Sequence, residues 1–270
     1  MIKLIVSDLD GTLMDHTRSI NGRDRQAVQK ALDNGLELCI ASGRMYAEIK
    51  TIMQSFEHRF HALGQNGATI YNKNQRLAAA YEFAPDISAS LMELTQLDDR
   101  FVHFVHCTDD SYYTSQRNEV TLPYESRILI SCKERVGLAA DLAEDRLRSS
   151  KISFFGPIEG LLQLEAELNR RFSDQVETFI SDKDCLDVMP KNVSKGASLT
   201  LLIEKLGLRP DEVACIGDSF NDLSMFAITP HSYAMAGSHA DVRSQASHAV
   251  ASVADAIDDI INGHHTTAIR

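Results

Sequence analysis

The sequence predicts an α/β protein whose parallel-sheet core is interrupted by an inserted α+β region. Three observations indicate this fold class. In the first third of the 270 residues, short apolar runs alternate with helical patterns, and the last third repeats that order. The middle third instead has strand-like pieces and long amphipathic segments. A strand–helix–strand–helix order requires parallel strands with right-handed crossovers, whereas the middle third fits a sheet that carries helices on one face.

The first third contains two predicted strands and two predicted helices. Residues 3–7 and 36–41 are nearly continuous apolar runs, which is the pattern of strands buried on both faces. The helix between them follows Asn21 and ends at Gly35, a residue type suited to a C-terminal cap. A second helix is predicted over 45–56. This order places two parallel strands side by side.

The last third repeats the same order of elements. We predict a helix over 196–206, a strand over 213–216, a helix starting near Asn221, a strand over 233–236 and a helix over 253–261. The two outer thirds are therefore expected to form one discontinuous core, 1–83 and 190–270.

The middle third, 84–189, is predicted to be an inserted cap domain. Pro85 and Pro190 lie close to the two junctions. The expected elements are strands over 101–107, 112–114, 152–155 and 176–180, with helices over 133–148 and 158–172.

Charge narrows the classes of partner. Lys and Arg number 27 against 38 Asp and Glu, which gives a formal net charge of -11. A protein that binds a nucleic-acid backbone needs a basic face, and no apolar run reaches the length of a membrane span. We therefore predict neither a nucleic-acid nor a membrane partner. A small anionic substrate could bind only where a few cations, or a metal, are concentrated at one site.

The cysteines indicate the compartment. The five cysteines are odd in number and widely spaced, and they include no C-x-x-C pair. Free thiols in a reducing cytosol are the natural interpretation, so we predict a cytoplasmic protein without a zinc site.

The strongest chemical feature is Asp8-Leu9-Asp10-Gly11, directly after the first predicted strand. Side chains two residues apart on an extended backbone point the same way, so Asp8 and Asp10 are expected to share one spot. In an open α/β sheet, ligands bind beyond the carboxyl ends of the strands. An ordinary polar turn would also use these residue types. Two like charges held together favour a bound cation over that alternative.

Two further strand or helix ends carry groups that could bind an anion. Ser42-Gly43-Arg44 follows the second predicted strand, and a hydroxyl with free amides at a helix start can hold an anion. A plain helix cap at Ser42 is the alternative. Lys195-Gly196 also begins a helix, where a cation opposes the helix dipole. An anion bridging the lysine and the amide would explain it, although a lone lysine is usually solvated.

The fourth feature, Gly217-Asp218-Ser219-Phe220-Asn221-Asp222, again follows a predicted buried strand. Asp218 is expected beside the carboxylates of the first strand, which completes an oxygen-only cluster suited to Mg²⁺. Asn221 and Asp222 could cap the next helix and supply hydrogen bonds to the cluster.

Together these segments resemble the four motifs of the haloacid dehalogenase superfamily of phosphohydrolases. The long insert and Gln65-Asn66-Gly67-Ala68 resemble its Cof-type branch of sugar-phosphatase-like proteins. Ser42 stands where members often have threonine, and Ser219 where asparagine is frequent. The four motifs are, in order, D-L-D-G-T-L from Asp8, S-G-R from Ser42, K-G from Lys195 and G-D-S-F-N-D from Gly217.

The resemblance implies a Rossmann-like core with a cap, and a role for each motif residue. Asp8 would be the nucleophile that forms an aspartyl-phosphate, and Asp10 the general acid and base. Mg²⁺ would be held by Asp8, the Asp10 backbone carbonyl and Asp218. The phosphoryl oxygens would be held by the backbone near Leu9, by Ser42, the Gly43 amide and Lys195, with Asn221 close by and Arg44 and Asp222 in support.

We therefore predict a Mg²⁺-dependent phosphatase of small phosphorylated metabolites, with sugar phosphates as the expected substrates. The motifs do not separate this activity from a phosphosugar mutase, which would pass the phosphoryl group to another hydroxyl. Pyridoxal phosphate and flavin mononucleotide are alternative substrates. A metabolite sensor without turnover is a third possibility, but pure binding does not need an acid at Asp10. Oligomeric state is not readable from the sequence.

Overall fold

The computed structural model describes residues 1–56, 60–96 and 99–263. The chain divides into two compact units. The core unit contains Met1–Gly43, Ile49–Ala78 and the chain from Ser194 onward, and the insert unit contains Arg44–Glu48 and Ala79–Val193.

The strands and helices alternate along the outer parts of the chain, as an α/β core requires. The strands are β1 Leu4–Ser7, β2 Glu37–Ala41, β3 His61–Gly64, β4 Thr69–Tyr71, β5 Leu77–Ala80, β6 Val102–His106, β7 Tyr112–Thr114, β8 Lys133–Glu134, β9 Lys151–Phe155, β10 Val176–Asp182, β11 Cys185–Pro190, β12 Val213–Gly217, β13 His231–Met235 and β14 His248–Val250. The α-helices are α1 Gly22–Asp33, α2 Tyr46–Ile52, α3 Pro85–Gln96, α4 Leu122–Glu125, α5 Leu138–Ala143, α6 Ile158–Phe172, α7 Lys195–Leu206, α8 Leu223–Phe226, α9 Ala240–Gln245 and α10 Val253–Asn262.

The core sheet has eight strands in the order β14-β13-β12-β1-β2-β3-β4-β5. β1 lies between β2 and β12 and is parallel to both, with Val6 opposite Cys39 on one side and Cys215 on the other. Every residue of β1 is buried, which explains its continuous apolar run. Because β1, β2 and β12 run in the same direction, the segments that follow them emerge at the same edge of the sheet.

The insert unit contains a six-stranded sheet in the order β10-β11-β9-β6-β7-β8. Its pairings are antiparallel from β10 through β7, and β7 pairs with β8 in parallel. Side chains from α3, α5 and α6 form one apolar cluster with Val105, Ile152 and Leu186 of the sheet. Helices therefore cover one face of a mainly antiparallel sheet, which is an α+β arrangement.

The prediction of an α/β fold with a parallel-sheet core is confirmed, although several predicted elements are wrong in extent. The helix predicted over 133–148 is much shorter: it forms only as α5, Leu138–Ala143, because β8 occupies Lys133–Glu134 and Gly137 adopts a left-handed φ of 81°. The charged residues that suggested a polar helix face instead gather at Asp141, which accepts hydrogen bonds from Arg135 and Arg146. The alternating polar and apolar residues therefore reflect a local ion-pair cluster.

Other differences lie at element ends and in short elements. The helix predicted over 45–56 is α2, which ends at Ile52 and continues as a 3-10 turn over Met53–Ser55. The sequence analysis did not predict the strands β3, β4, β5, β8, β11 and β14 or the helices α3, α4 and α9. Within the described residues, no helix combines the length and the apolar character needed to cross a bilayer.

Candidate active site

The segment after β1 folds into a tight loop that fixes Asp8. The Asp8 amide donates to the carbonyl of Ile216 at 2.9 Å, which ties the end of β1 to β12. The Leu9 carbonyl accepts from the Met14 amide at 2.7 Å, so the chain reverses at once. Gly11 makes the reversal with φ of 88°, and a Cβ there would lie 2.6 Å from Asp218 Oδ2. Only glycine fits this position without displacing the carboxylate.

Lys195, at the first turn of α7, places its ammonium among these carboxylates. Its Nζ lies 2.6 Å from Asp8 Oδ1 and 2.7 Å from Asp222 Oδ1, and its side chain has no exposed surface. Burial alone would lower the pKa of Lys195, but the carboxylates of Asp222 and Asp8 raise it above its ordinary value. The lysine is therefore held as an ammonium ion.

Asp222 anchors the loop after β12. Its Oδ2 accepts the amides of Asp218 at 2.9 Å and Ser219 at 3.0 Å, while its Oδ1 binds Lys195. A Cβ on Gly217 would lie 2.5 Å from the Asp222 carboxyl group. Both oxygens of Asp222 are thus engaged by the protein, so this residue holds the Asp218 backbone and the lysine in place.

Asp8, Asp218 and Asp222 each present a carboxylate oxygen within 4.8 Å of the others. With all three carboxylates ionised, the one positive charge of Lys195 would leave the cluster two charges negative. Burial, together with the carboxylates of Asp222 and Asp218, raises the pKa of Asp8 well above its usual value although Lys195 opposes the shift. A divalent cation would balance this charge and favour ionised carboxylates, and an oxygen-only donor set suits Mg²⁺.

Asp218 is the second carboxylate suited to such a cation. Thr12 Oγ1 donates to its Oδ1 at 3.0 Å, which orients the carboxylate toward the loop after β1. Burial, and then repulsion from Asp222, raise its pKa above the ordinary value. Thr12 was not singled out by the sequence analysis, and its position within the D-L-D-G-T-L segment was the available signal.

Asp10 does not join the carboxylate cluster. The expectation that the Asp8 and Asp10 side chains share one spot required an extended backbone through both residues. β1 ends at Ser7, and Asp10 instead forms an isolated bridge with Met14 in the reversed loop. Asp10 is exposed, whereas Asp8 is 5% exposed. The metal role predicted for Asp10 therefore rests on its backbone carbonyl, not on its carboxylate.

The end of β2 is joined to a turn after β3. Ser42 is buried; its amide donates to the Leu63 carbonyl at 2.9 Å, and its carbonyl accepts from the Asn66 amide at 2.9 Å. A Cβ on Gly43 would lie 3.2 Å from Asn66 Oδ1. Asn221 Nδ2 donates to the same Asn66 oxygen at 3.1 Å. Asn221 lies far from Ser42 and Gly43 in the sequence, and all three therefore meet around Asn66.

Arg44 lies in a different environment. Its guanidinium pairs with Glu48 at 3.0 Å, and the segment Arg44–Glu48 belongs to the insert unit. Glu48 also accepts the Met45 and Leu129 amides, each at 3.1 Å. Arg44 thus fixes the start of α2, and its predicted support of the site is indirect.

The start of α7 approaches the loop that carries Asn221. The Gly196 amide donates to Ser224 Oγ at 3.0 Å, and a Cβ on Gly196 would lie 2.1 Å from the Ser224 carbonyl oxygen. Ser224 Oγ in turn donates to the Asn221 carbonyl at 3.1 Å. Sequence reasoning missed Ser224, since no pattern in the sequence connects it to Gly196.

Comparison with known proteins agrees with this architecture. A family model described as haloacid dehalogenase-like hydrolase matches residues 5–261. An HMP-PP phosphatase of Serratia proteamaculans is 27% identical over 87% of this chain and 84% of its own length. The 5-amino-6-(5-phospho-D-ribitylamino)uracil phosphatase YwtE of Bacillus subtilis is 24% identical over 98% of this chain and all of its own. A haloacid dehalogenase-like hydrolase structure from Bacteroides thetaiotaomicron has a TM-score of 0.85 at 25% identity, covering 96% and 100% of the two chains.

A parallel sheet with an aspartate and lysine cluster at the carboxyl ends of its central strands defines a hydrolase of the phosphatase class. The chain belongs to the haloacid dehalogenase-like hydrolase family. The predicted resemblance and enzyme class are thereby confirmed.

Proposed function

We propose that this chain is a Mg²⁺-dependent phosphatase that hydrolyses small phosphorylated metabolites through an aspartyl-phosphate on Asp8. The observation that supports this most strongly is the excess of carboxylate over ammonium at Asp8, Asp218, Asp222 and Lys195. A divalent cation would neutralise the excess negative charge of this cluster. The bound cation would also reduce the repulsion between the cluster and a phosphate dianion.

The chemistry divides into two displacements. In the first, an Asp8 carboxylate oxygen attacks phosphorus, the bond from phosphorus to the substrate oxygen breaks, and Asp10 gives that oxygen a proton. In the second, Asp10 takes a proton from water, the water oxygen attacks phosphorus, and the bond to Asp8 breaks to release inorganic phosphate. The exposure of Asp10 suits a proton donor that meets the substrate and water instead of the metal.

Asp8, Asp218 and the Asp10 backbone carbonyl would hold Mg²⁺, which supplies positive charge that offsets repulsion between the nucleophile and the phosphate. Asp222 is assigned a positioning role because both of its oxygens are engaged by protein donors. Mg²⁺ rather than zinc is proposed because the donors are all oxygens.

The phosphoryl oxygens would be held by donors from four segments. Among the described residues Lys195 Nζ has two hydrogen-bond acceptors, so its third N–H can reach a phosphoryl oxygen. The other proposed donors are the Ser42 hydroxyl, the Gly43 amide, the backbone near Leu9 and the second N–H of the Asn221 side chain. Such fixed donors supply most of the catalysis in phosphoryl transfer.

The substrate class is proposed to be sugar phosphates and related polyol phosphates. The Bacillus subtilis relative acts, by its name, on a phospho-D-ribityl compound, which supports a phosphorylated polyol. The Serratia relative, named for HMP-PP, supports a wider range. We assign selection of the leaving group to the insert, proposed as a cap over 84–189. A cytoplasmic location is proposed because all five cysteines are free and buried.

A phosphate-release screen tests the proposal. Hexose phosphates, a ribityl phosphate, HMP-PP, pyridoxal phosphate and flavin mononucleotide would be incubated with the protein in Mg²⁺ and in excess chelator. We expect release from at least one small monoester, lost with chelator and restored by Mg²⁺. Isomerised hexose phosphate without free phosphate would indicate the mutase, and tight binding without any turnover would indicate a sensor. Release unaffected by chelator would refute the metal assignment.

A further inference from the structure

A buried left-handed turn follows β3, and the reaction scheme above gives it no role. Gln65 and Asn66 have φ of 52° and 55°, and Gly67 follows with 101°. All three residues are buried. Consecutive non-glycine residues in this region are rare, and such a backbone persists only where its surroundings hold it.

The backbone of this turn is held between β2 and α7. The Asn66 amide donates to the Ser42 carbonyl at 2.9 Å, and Ser198 Oγ donates to the Gly67 carbonyl at 2.6 Å. A Cβ on Gly67 would lie 2.4 Å from the Ser194 carbonyl oxygen. The turn is therefore fixed against the residue that precedes Lys195 and against the residue that carries the proposed phosphate-binding hydroxyl.

The Asn66 side chain adds a contact to the loop after β12. Its Oδ1 accepts from Asn221 Nδ2 at 3.1 Å. Asn221 Oδ1 is buried and has no hydrogen-bond partner among the described residues. Among the described residues, the bond to Asn66 is therefore the hydrogen bond that fixes the orientation of the Asn221 carboxamide.

We propose that Asn66 is a positioning residue for phosphoryl transfer: by accepting one N–H of Asn221 it directs the other toward the phosphoryl group. The inference rests on the proposed function. Asparagine meets two requirements at this position, since it tolerates left-handed φ better than most residues and carries a side-chain acceptor. Glycine would meet the first requirement alone. The choice of residue is thus explained by backbone and side chain together.

The substitution Asn66→Gly separates these two requirements, because it keeps the left-handed backbone and removes the acceptor. We expect kcat to fall about tenfold, the effect of one lost hydrogen bond, in a protein that circular dichroism shows to remain folded at the assay temperature. Gln75→Gly is the matched control: Gln75 has φ of 62° on an exposed turn of the core unit, and its replacement should leave kcat unchanged.

A double-mutant cycle with Asn221→Ala distinguishes positioning from general support. If Asn66 acts through Asn221, the double variant loses no more activity than the more damaged single variant. Independent roles would instead multiply the two losses, and that result, or an unchanged kcat in Asn66→Gly, would overturn the inference.

Binding of inorganic phosphate in Mg²⁺, measured by calorimetry, separates this inference from the proposed function. We expect Asn66→Gly and Asn221→Ala to weaken phosphate binding by similar factors, and the double variant by no more than either. If the wild-type protein binds phosphate but hydrolyses none of the screened esters, the proposed function fails while the phosphate cycle still decides the role of Asn66. Unchanged phosphate affinity in both single variants would overturn that role.

Discussion

Each of the two units buries a lysine against aspartate, and the two arrangements differ in charge. In the core unit, Lys195 Nζ lies 2.6 Å from Asp8 and 2.7 Å from Asp222. In the insert unit, Lys151 Nζ lies 3.5 Å from Asp187 Oδ2, and both side chains are nearly fully buried. The core cluster therefore contains three aspartates and one lysine, while the insert pair joins one lysine to one aspartate.

Two neutral side chains lie beside the insert pair. Ser153 Oγ donates to Asp187 Oδ1 at 2.6 Å and is within 3.1 Å of His106 Nε2. Burial, with a smaller contribution from Lys151, lowers the pKa of His106 well below its usual value, so the ring is uncharged at neutral pH. A balanced buried pair can serve structure alone, whereas an unbalanced one indicates a ligand of opposite charge. The two arrangements are both buried, and they differ in the number of carboxylates near the ammonium.

Replacing each lysine by methionine should sharpen this contrast most. Lys195→Met leaves three carboxylates without an ammonium and should lower the free energy of unfolding by about 3–5 kcal/mol in chelator. Lys151→Met leaves only Asp187, which keeps its bond from Ser153, and should cost less. Urea denaturation measures both. Measured as the difference from wild type in the same buffer, the loss should become smaller in saturating Mg²⁺ for Lys195→Met and stay unchanged for Lys151→Met; equal behaviour of the two variants would contradict the contrast.

Mg²⁺ should raise the free energy of unfolding by binding at the core cluster and not at the insert pair. A ligand at about 100 times its Kd adds about 2.7 kcal/mol to the free energy of unfolding, which raises the thermal midpoint. We expect Asp218→Asn to remove this shift and Asp187→Asn, a buried carboxylate of the insert, to retain it. Thermal unfolding with and without Mg²⁺ gives the comparison, and a shift that survives Asp218→Asn would place the ion elsewhere.

Acid should act on the insert through the partly buried His103. Burial lowers the pKa of His103 from 6.5 to about 4, and its Nε2 lies 2.9 Å from Ser115 Oγ. Because the unfolded chain binds the proton first, stability is retained above pH 6.5 and is lost as pH falls from 6.5 toward about 4. Between neutral pH and about pH 5 we expect this histidine to remove about 2 kcal/mol.

The measurement is urea denaturation at both pH values for His103→Asn, with His239→Asn as the control because His239 is exposed. The first variant should lose much of the pH dependence and the second none. A wild-type profile retained in His103→Asn would mean that other groups titrate.

The smallest expected effect is a difference in unfolding free energy between substitutions at two glycines. Gly67 and Gly137 both have left-handed φ, but a Cβ on Gly67 would lie 2.4 Å from Ser194 O, while nothing lies within 4 Å of one on Gly137. Gly137→Ala should cost about 1 kcal/mol from φ alone, and Gly67→Ala at least about 1 kcal/mol more, with reduced activity. Equal losses in unfolding free energy would show that the core turn moves freely.

Local patterns predicted the parts of the fold that are defined locally. Continuous apolar runs located β1, β2 and β12, and helical periodicity located α6 and α7 with only small errors at their ends. Short strands such as β4 and β14 have no distinct pattern, because each is stabilised by its pairing within the sheet. The helix predicted over 133–148 was wrong in extent. The charged residues that suggested one polar helix face form ion pairs at Asp141 instead.

The site residues also divide into those that local motifs predicted and those that depend on tertiary contacts. Motif order led to Asp8, Lys195 and Asp218, and these do converge at the strand ends. The contact between Asn66 and Asn221 joins residues 155 positions apart, and the departure of Asp10 from the cluster depends on where β1 ends. Such contacts follow from tertiary packing, which a single sequence does not encode in its local pattern.

The central claim is that Asp8 is the nucleophile and that the carboxylate cluster around it binds a divalent cation. The substitution Asp8→Asn tests this claim most directly. Phosphate release in Mg²⁺ would be measured for the wild-type protein, for Asp8→Asn and for Asp187→Asn, with circular dichroism to verify folding. We predict that Asp8→Asn remains folded and loses at least about 10⁴-fold in kcat, because Asp8 supplies the attacking carboxylate oxygen and a carboxamide is a far weaker nucleophile. Asp8→Asn that folds and retains Mg²⁺-dependent turnover near the wild-type rate would contradict the account.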